Sequence, residues 1–207
     1  MTNSRHLYSM RKIPRQARAE ATVEAVLEAA AQLLVSQGYD QTSTNQIAEH
    51  AGVSIGSLYE YFPGKEAVFA EIRRRQSKKH YALLTKEPLP ITPRQMLRHL
   101  VATHIEHVSS NVPLHVALQT EVPRLATANT EAEILDDYAL RSVMFLDEHR
   151  DKLRPNAETD FIAEFLMRVL TSTINDYAVH APLRLQEARL AQQVVDVLER
   201  YLLSDAL

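Results

Sequence analysis

Only four glycines occur in the 207 residues, at Gly38, Gly52, Gly56 and Gly64, and all lie within one short stretch. Glycine is the residue that takes left-handed backbone at little cost, so tight turns concentrate there. Elsewhere the apolar residues recur at spacings of three and four, with no alternating strand pattern. The expected fold is therefore all-α.

The glycine-bearing stretch reads as two short helices joined by a tight turn. Ser43 is a good N-cap, and Gln46 three residues on completes a capping-box pattern. Ile47, Ala48 and Ala51 form one apolar face, and Gly52 ends that helix in the position where left-handed backbone is needed. Val53 plugs the turn. Ser54 caps a second helix whose inner face is Leu58 and Phe62 and which stops at Pro63-Gly64. Its other positions are Ile55, Gly56, Ser57, Tyr59 and Tyr61, with Glu60 the one charge. An ordinary αα-hairpin would carry Glu, Lys, Gln and Arg on a solvated face. Small, hydroxylated and aromatic residues there point instead to a helix-turn-helix, which lays its second helix in the DNA major groove.

The residues suggest a division of labour. Ser43 and Thr44 stand at a helix N-terminus, where N–H groups and hydroxyls suit a phosphate. Gly56 lets the second helix approach the bases, and Ile55, Ser57 and Tyr59 around it reach base edges. Tyr61 and Lys65 suit the phosphate backbone. That helix has no Arg, Lys, Asn or Gln, so bidentate base readout is largely missing and specificity leans on shape and apolar contact.

The run Ile47-Ala48-x-x-Ala51-Gly52-Val53-Ser54-x-Gly56-x-Leu58-Tyr59-x-Tyr61-Phe62-x-x-Lys65-Glu66 closely resembles the DNA-binding domain of TetR/AcrR-type transcriptional regulators. The resemblance covers about the first third of the chain. It implies the same split between base contacts at 55–59 and phosphate contacts at Tyr61 and Lys65. It also implies a helical body that binds an effector and pairs two chains through the last two long helices.

The rest of the chain fits that outline. Residues 1–14 form an arm with Arg5, Arg11 and Lys12, and Arg15 and Arg18 follow before a helix expected over 15–37. Residues 15–66 are expected as the helix-turn-helix domain and 67–207 as the effector-binding and dimerisation domain. A helix over 64–84 joins the two, and its Arg73, Arg74, Arg75, Lys78 and Lys79 read as a solvated face. Further helices are expected over 94–111, 131–150, 157–180 and 184–203. The last two carry wide apolar stripes, and Val194, Val195, Leu198 and Tyr201 are the expected seam between chains. Burial within one chain would give the same periodicity. Charge divides with the domains: 11 Lys+Arg against 8 Asp+Glu over 1–80, and 12 against 18 over 81–207. A basic front suits a polyanion.

His104, inside an apolar stripe, reads as a hydrogen-bonded core histidine or as part of an effector pocket, with Tyr138 and Phe165 as companion candidates. His104 and His107 alone are too few ligands for a metal, and no metal or cofactor is expected. An enzyme is the rival class. However, the chain has no cysteine, no phosphate-cradling glycine loop outside the motif and no recognisable triad order. A second rival is a helical small-molecule-binding or interaction protein without DNA binding, which the complete caps and turn of the motif argue against. No apolar run is long enough to span a bilayer and the N-terminus lacks a signal-type apolar core, so a cytoplasmic protein is expected. The expected function is thus a homodimeric regulator, a repressor, on a palindromic double-stranded DNA operator, released by a small-molecule effector.

Overall fold

A computed structural model describes residues 8–86, 91–122 and 140–204, all helical apart from turns and one isolated β-bridge. The helices are α1 (Ala17–Gln41), α2 (Thr44–His50), α3 (Ile55–Tyr61), α4 (Lys65–Leu84), α5 (Pro93–Ser109), α6 (Val112–Thr120), α7 (140–148), α8 (Thr159–His180) and α9 (Ala188–Leu202). The helix expected over 131–150 is described only from 140, and its earlier residues lie outside the described ones. The chain divides into two compact units: residues 1–77 with 113–133, and 78–112 with 134–207. This division falls inside α4 rather than after residue 66, and it assigns most of α6 to the first unit.

In the first unit, α1 packs on α2 and α3 around Val23, Val26, Leu27, Ala30, Leu34, Ile47, Leu58 and Phe62, all buried. Those positions on α1 repeat at three and four, as a helix with one buried face requires. Val68, Phe69 and Ile72 of α4 and Leu114, Ala117 and Leu118 of α6 complete the same cluster. The core formed by residues 23–62 is thus enlarged by chain some fifty residues further on.

The helix α1 does not stop at Gly38. Gly38 adopts φ 83°, ψ 170°, and one more helical turn follows as far as Gln41. The break lets Thr42 fold back, its hydroxyl donating to the Gly38 carbonyl at 2.7 Å.

The arginine run of α4 is a correction to the solvated face expected there. Arg73 is buried, donating to the Leu118 carbonyl at 3.1 Å and to Gln119 Oε1 at 2.9 Å near the C-terminus of α6. Arg74 and Arg75 converge on the buried carboxylate of Glu71, and Arg75 also reaches Glu24 of α1. Burial would raise the Glu71 carboxyl, but the hydrogen bonds from Arg74 and Arg75 outweigh it and hold Glu71 below the usual range. Arg73 thus binds α4 to α6, and Arg75 binds it to α1.

In the second unit, α5 packs against α8 and α9. Leu97, Leu100, Val101, Ile162, Leu166, Leu170, Ile174, Leu198 and Leu202 are among its buried apolar residues. The end of α9 is tied to the 150–154 segment, where the Arg154 N–H donates to the Leu202 carbonyl at 2.9 Å and Ser204 N–H to the Lys152 carbonyl at 3.2 Å.

Candidate nucleic-acid interface

The helix-turn-helix is built from local bonds that its sequence specifies. The Ser43 hydroxyl accepts the Gln46 N–H at 3.3 Å, while the Gln46 side-chain oxygen accepts the Ser43 N–H at 2.9 Å, so both arms of the capping box are present. Gly52, at φ 66°, turns the chain, and the Val53 N–H then donates to the Ala48 carbonyl at 3.0 Å. No atom lies within 4 Å of where a Cβ on Gly52 would stand, so backbone conformation, not space, calls for glycine there. Ser54 caps α3 by accepting the Ser57 N–H at 3.0 Å.

The helix α3 buries Leu58 completely and presents Ile55, Gly56 and Tyr59 outward, with Ile55 and Tyr59 38% and 39% exposed. Two apolar side chains of this size stand at the surface around a glycine. Ser57 is half-buried, and its hydroxyl lies 2.8 Å from that of Ser54. The Tyr59 hydroxyl meets the Thr44 hydroxyl at 3.0 Å. One expected base-contact residue is thereby fixed to one expected phosphate-contact residue across the two helices.

Tyr61 and Lys65 are placed differently from a simple outer-face reading. Tyr61 is only 6% exposed and belongs to the core, because the last turn of α3 faces inward as well as out. Lys65, half-buried, donates to the carbonyls of Tyr39 at 2.9 Å and Thr42 at 3.0 Å and lies 4.2 Å from the centre of the Tyr39 ring. It braces the link between α1 and α2. An ammonium carries three protons, so one donor remains for a phosphate beside these two bonds. Burial, then the charge and hydrogen bond of Glu66, push the Tyr39 phenol up to about 12. From the other side Glu121 accepts the Tyr39 N–H at 3.0 Å. Local sequence carries no sign of Glu121, since its partner stands 82 positions earlier.

The expected effector residues keep separate company. His104 is buried, with Nδ1 3.4 Å from His80 Nε2, and His80 in turn stacks on His107 at 4.6 Å. Phe165 is 37% exposed and sits with Phe161 and Tyr201, ring centres 6.1 and 4.9 Å away. Tyr138 lies outside the described residues. Among the described residues no cluster of three or more ligating side chains could hold a metal, and no helix is long and apolar enough to cross a membrane.

The expected seam residues lie mainly inside their own unit. Val194, Val195 and Leu198 are 8%, 6% and 2% exposed within their own unit, because the main stripe of α9 is used up against its own chain. Tyr201 is half-buried, with Arg154 stacked on its ring at 4.1 Å. The large apolar residues left outward on these two helices are Phe161, Phe165 and Val179 of α8 and Val197 of α9.

A capped helix-turn-helix with an outward face of this chemistry, followed by a helical body, defines a DNA-binding regulator of transcription. The family model for bacterial regulatory proteins of the tetR family matches residues 26–72. The chain is similar to the transcriptional repressor KstR2 of Mycobacterium tuberculosis, 26% identical over 171 residues, covering 78% of this chain and 84% of that one. In fold it is similar to NalD of Pseudomonas aeruginosa, with TM-score 0.72, 22% identity and coverage of 91% and 98% of the two chains. It is likewise similar to SmeT of Stenotrophomonas maltophilia in a complex with triclosan, with TM-score 0.69, 19% identity and coverage of 89% and 93%. Residues 26–72 thus carry the DNA-binding region of the tetR-type bacterial regulators, and that match, rather than anything missing from the structure, sets the enzyme reading aside.

Proposed function

We propose that this protein is a cytoplasmic, homodimeric repressor that reads a palindromic operator with α3 and leaves it when a small molecule binds the helical body. The observation that carries the DNA-reading part is the outward set Ile55, Gly56 and Tyr59 on a helix capped at Ser54. Ser57 completes the base-contacting set. Thr44 and Lys65 contact phosphate, with Ser43 presenting the N-terminus of α2 and Tyr61 offering at most its hydroxyl. KstR2 is named a repressor and NalD a secondary repressor, which favours repression. The SmeT complex with triclosan favours a small-molecule effector.

Pairing of chains is supported by Phe161, Phe165 and Val197, with Tyr201 beside them, an apolar face on α8 and α9 that a second copy would cover. Two reading helices must then meet successive major grooves about 34–36 Å apart. The helix α4 is continuous from the first unit into the second. A shift of its far end therefore changes that spacing, and one head alone lacks the avidity of two. The test is selection of binding sites from random duplex DNA with the full chain. An enriched inverted repeat supports the proposal, and the absence of any enriched site refutes it.

A further inference from the structure

The helix α3 is seven residues long, too short to be stable on its own. Its last four carbonyls, those of Leu58, Tyr59, Glu60 and Tyr61, have no partner further along the same helix. The Phe62 N–H satisfies the Leu58 carbonyl at 2.9 Å. No basic residue occupies the last turn of α3, and Phe62 leaves in extended conformation. Two of the other carbonyls are met by a single residue from 48 or more positions away. The Arg11 N–H donates to the Tyr61 carbonyl at 2.8 Å, and its guanidinium Nη1 donates to the Tyr59 carbonyl at 3.0 Å. The next residue, Lys12, pairs with Glu60 at 2.8 Å and lies 5.9 Å from the centre of the Tyr61 ring. The hydrogen bond and charge of Glu60 hold the Lys12 ammonium above its ordinary pKa. Tyr8 and Met10 pack against the core cluster, which anchors the arm on this side.

We propose that the N-terminal arm is the C-terminal cap of the recognition helix. Arg11 is the positioning residue that holds α3 in its reading pose, and Lys12 neutralises the one acid on that helix. The polarity fits, because a cation stabilises the negative end of a helix dipole. The chemistry fits too, because the fork of Arg11 and its own N–H replace the cap that local sequence omits. Glu60 left alone would repel a phosphate backbone approached by α3, and Lys12 removes that charge. The arm thus acts on DNA reading through α3 and not merely as a stray basic tail. The inference rests on α3 as the reading helix.

The test measures binding of full-length Arg11→Ala, Arg11→Lys and Tyr59→Ala to a selected operator and to random duplex DNA across a range of salt. For Arg11→Ala the operator affinity should fall about fivefold, with little change on random DNA and an unchanged salt slope. Arg11→Lys, which keeps the charge and the backbone donor, should recover part of the loss. Amide exchange at Phe62 should quicken in Arg11→Ala while the urea midpoint of the whole chain moves little. Equal losses on both kinds of DNA, with a salt slope lower by about one, would make Arg11 a phosphate contact and overturn the proposal. No loss at all would overturn it as well. Tyr59→Ala separates the two ideas: if it weakens binding to operator and to random DNA equally, the assignment of α3 as reader falls first.

Discussion

The break at Gly38 offers a quantitative test of how the reading head is held. Gly38 sits at φ 83°, ψ 170°, a region essentially closed to side-chain-bearing residues, which pay about 1–3 kcal/mol to enter it. A Cβ placed there would stand 2.6 Å from Glu121 Oε2, the oxygen that accepts the Tyr39 N–H. An alanine must therefore strain the backbone and also displace the carboxylate. Displacing it breaks a charge-assisted hydrogen bond worth about 1 kcal/mol at this half-buried position. Gly38→Ala should cost about 3 kcal/mol in urea unfolding followed by circular dichroism. In a Glu121→Ala background that hydrogen bond is already gone, so the same substitution should cost only about 2 kcal/mol. The double-mutant cycle should thus show a coupling of about 1 kcal/mol. A coupling near zero would mean that Glu121 does not touch the Gly38–Tyr39 link, and a cost for Gly38→Ala below about 0.5 kcal/mol would refute the left-handed break itself.

Three further outcomes follow from the same structure. Tyr59→Ala should weaken operator binding far more than random-DNA binding, whereas Lys65→Ala should weaken both and also lower the urea midpoint, since it strips donors from the Tyr39 and Thr42 carbonyls; equal effects of Tyr59→Ala on both DNAs would refute the base-contact assignment. The folded-state pKa of Glu71 is depressed, so its stabilisation is present above the ordinary carboxylate range and is lost as pH falls through the folded value. The stability gap between wild type and Glu71→Gln should therefore shrink from pH 7 towards pH 3, and a gap constant across that range would contradict the ion-pair account. Phe161→Asp with Val197→Asp should leave the helical body folded but separate the chains in sedimentation, whereas Val194→Asp with Leu198→Asp should unfold the second unit, because those two are core.

What the sequence made legible was whatever depends on neighbours along the chain. The capping box of Ser43 and Gln46, the turn at Gly52 and the cap at Ser54 are all contacts within six residues, and periodicity located α1, α4, α5, α8 and α9. Side-chain roles decided by distant partners were not legible. Tyr61 reads as an outer-face residue until the core around it is assembled. Arg73 reads as solvated until α6 supplies the Leu118 carbonyl. On α9, the periodicity of Val194 and Leu198 is the same whether the buried stripe meets α5 or a second chain; only the packed structure separates the two and leaves Val197 outside. The capping of α3 by Arg11 was out of reach for the same reason, since nothing near residue 11 names Tyr59 or Tyr61.

The central claim is that α3 is pressed against DNA bases at Gly56. A Cβ on Gly56 would meet only the Ser54 hydroxyl, at an ordinary 3.7 Å, so the folded protein has room for a larger residue there. Leucine is also the better helix former by about 0.8 kcal/mol. Gly56→Leu should therefore keep or raise the urea midpoint while abolishing operator binding in a gel shift. A Gly56→Leu protein that binds the selected operator with wild-type affinity would show that this face of α3 does not meet the DNA.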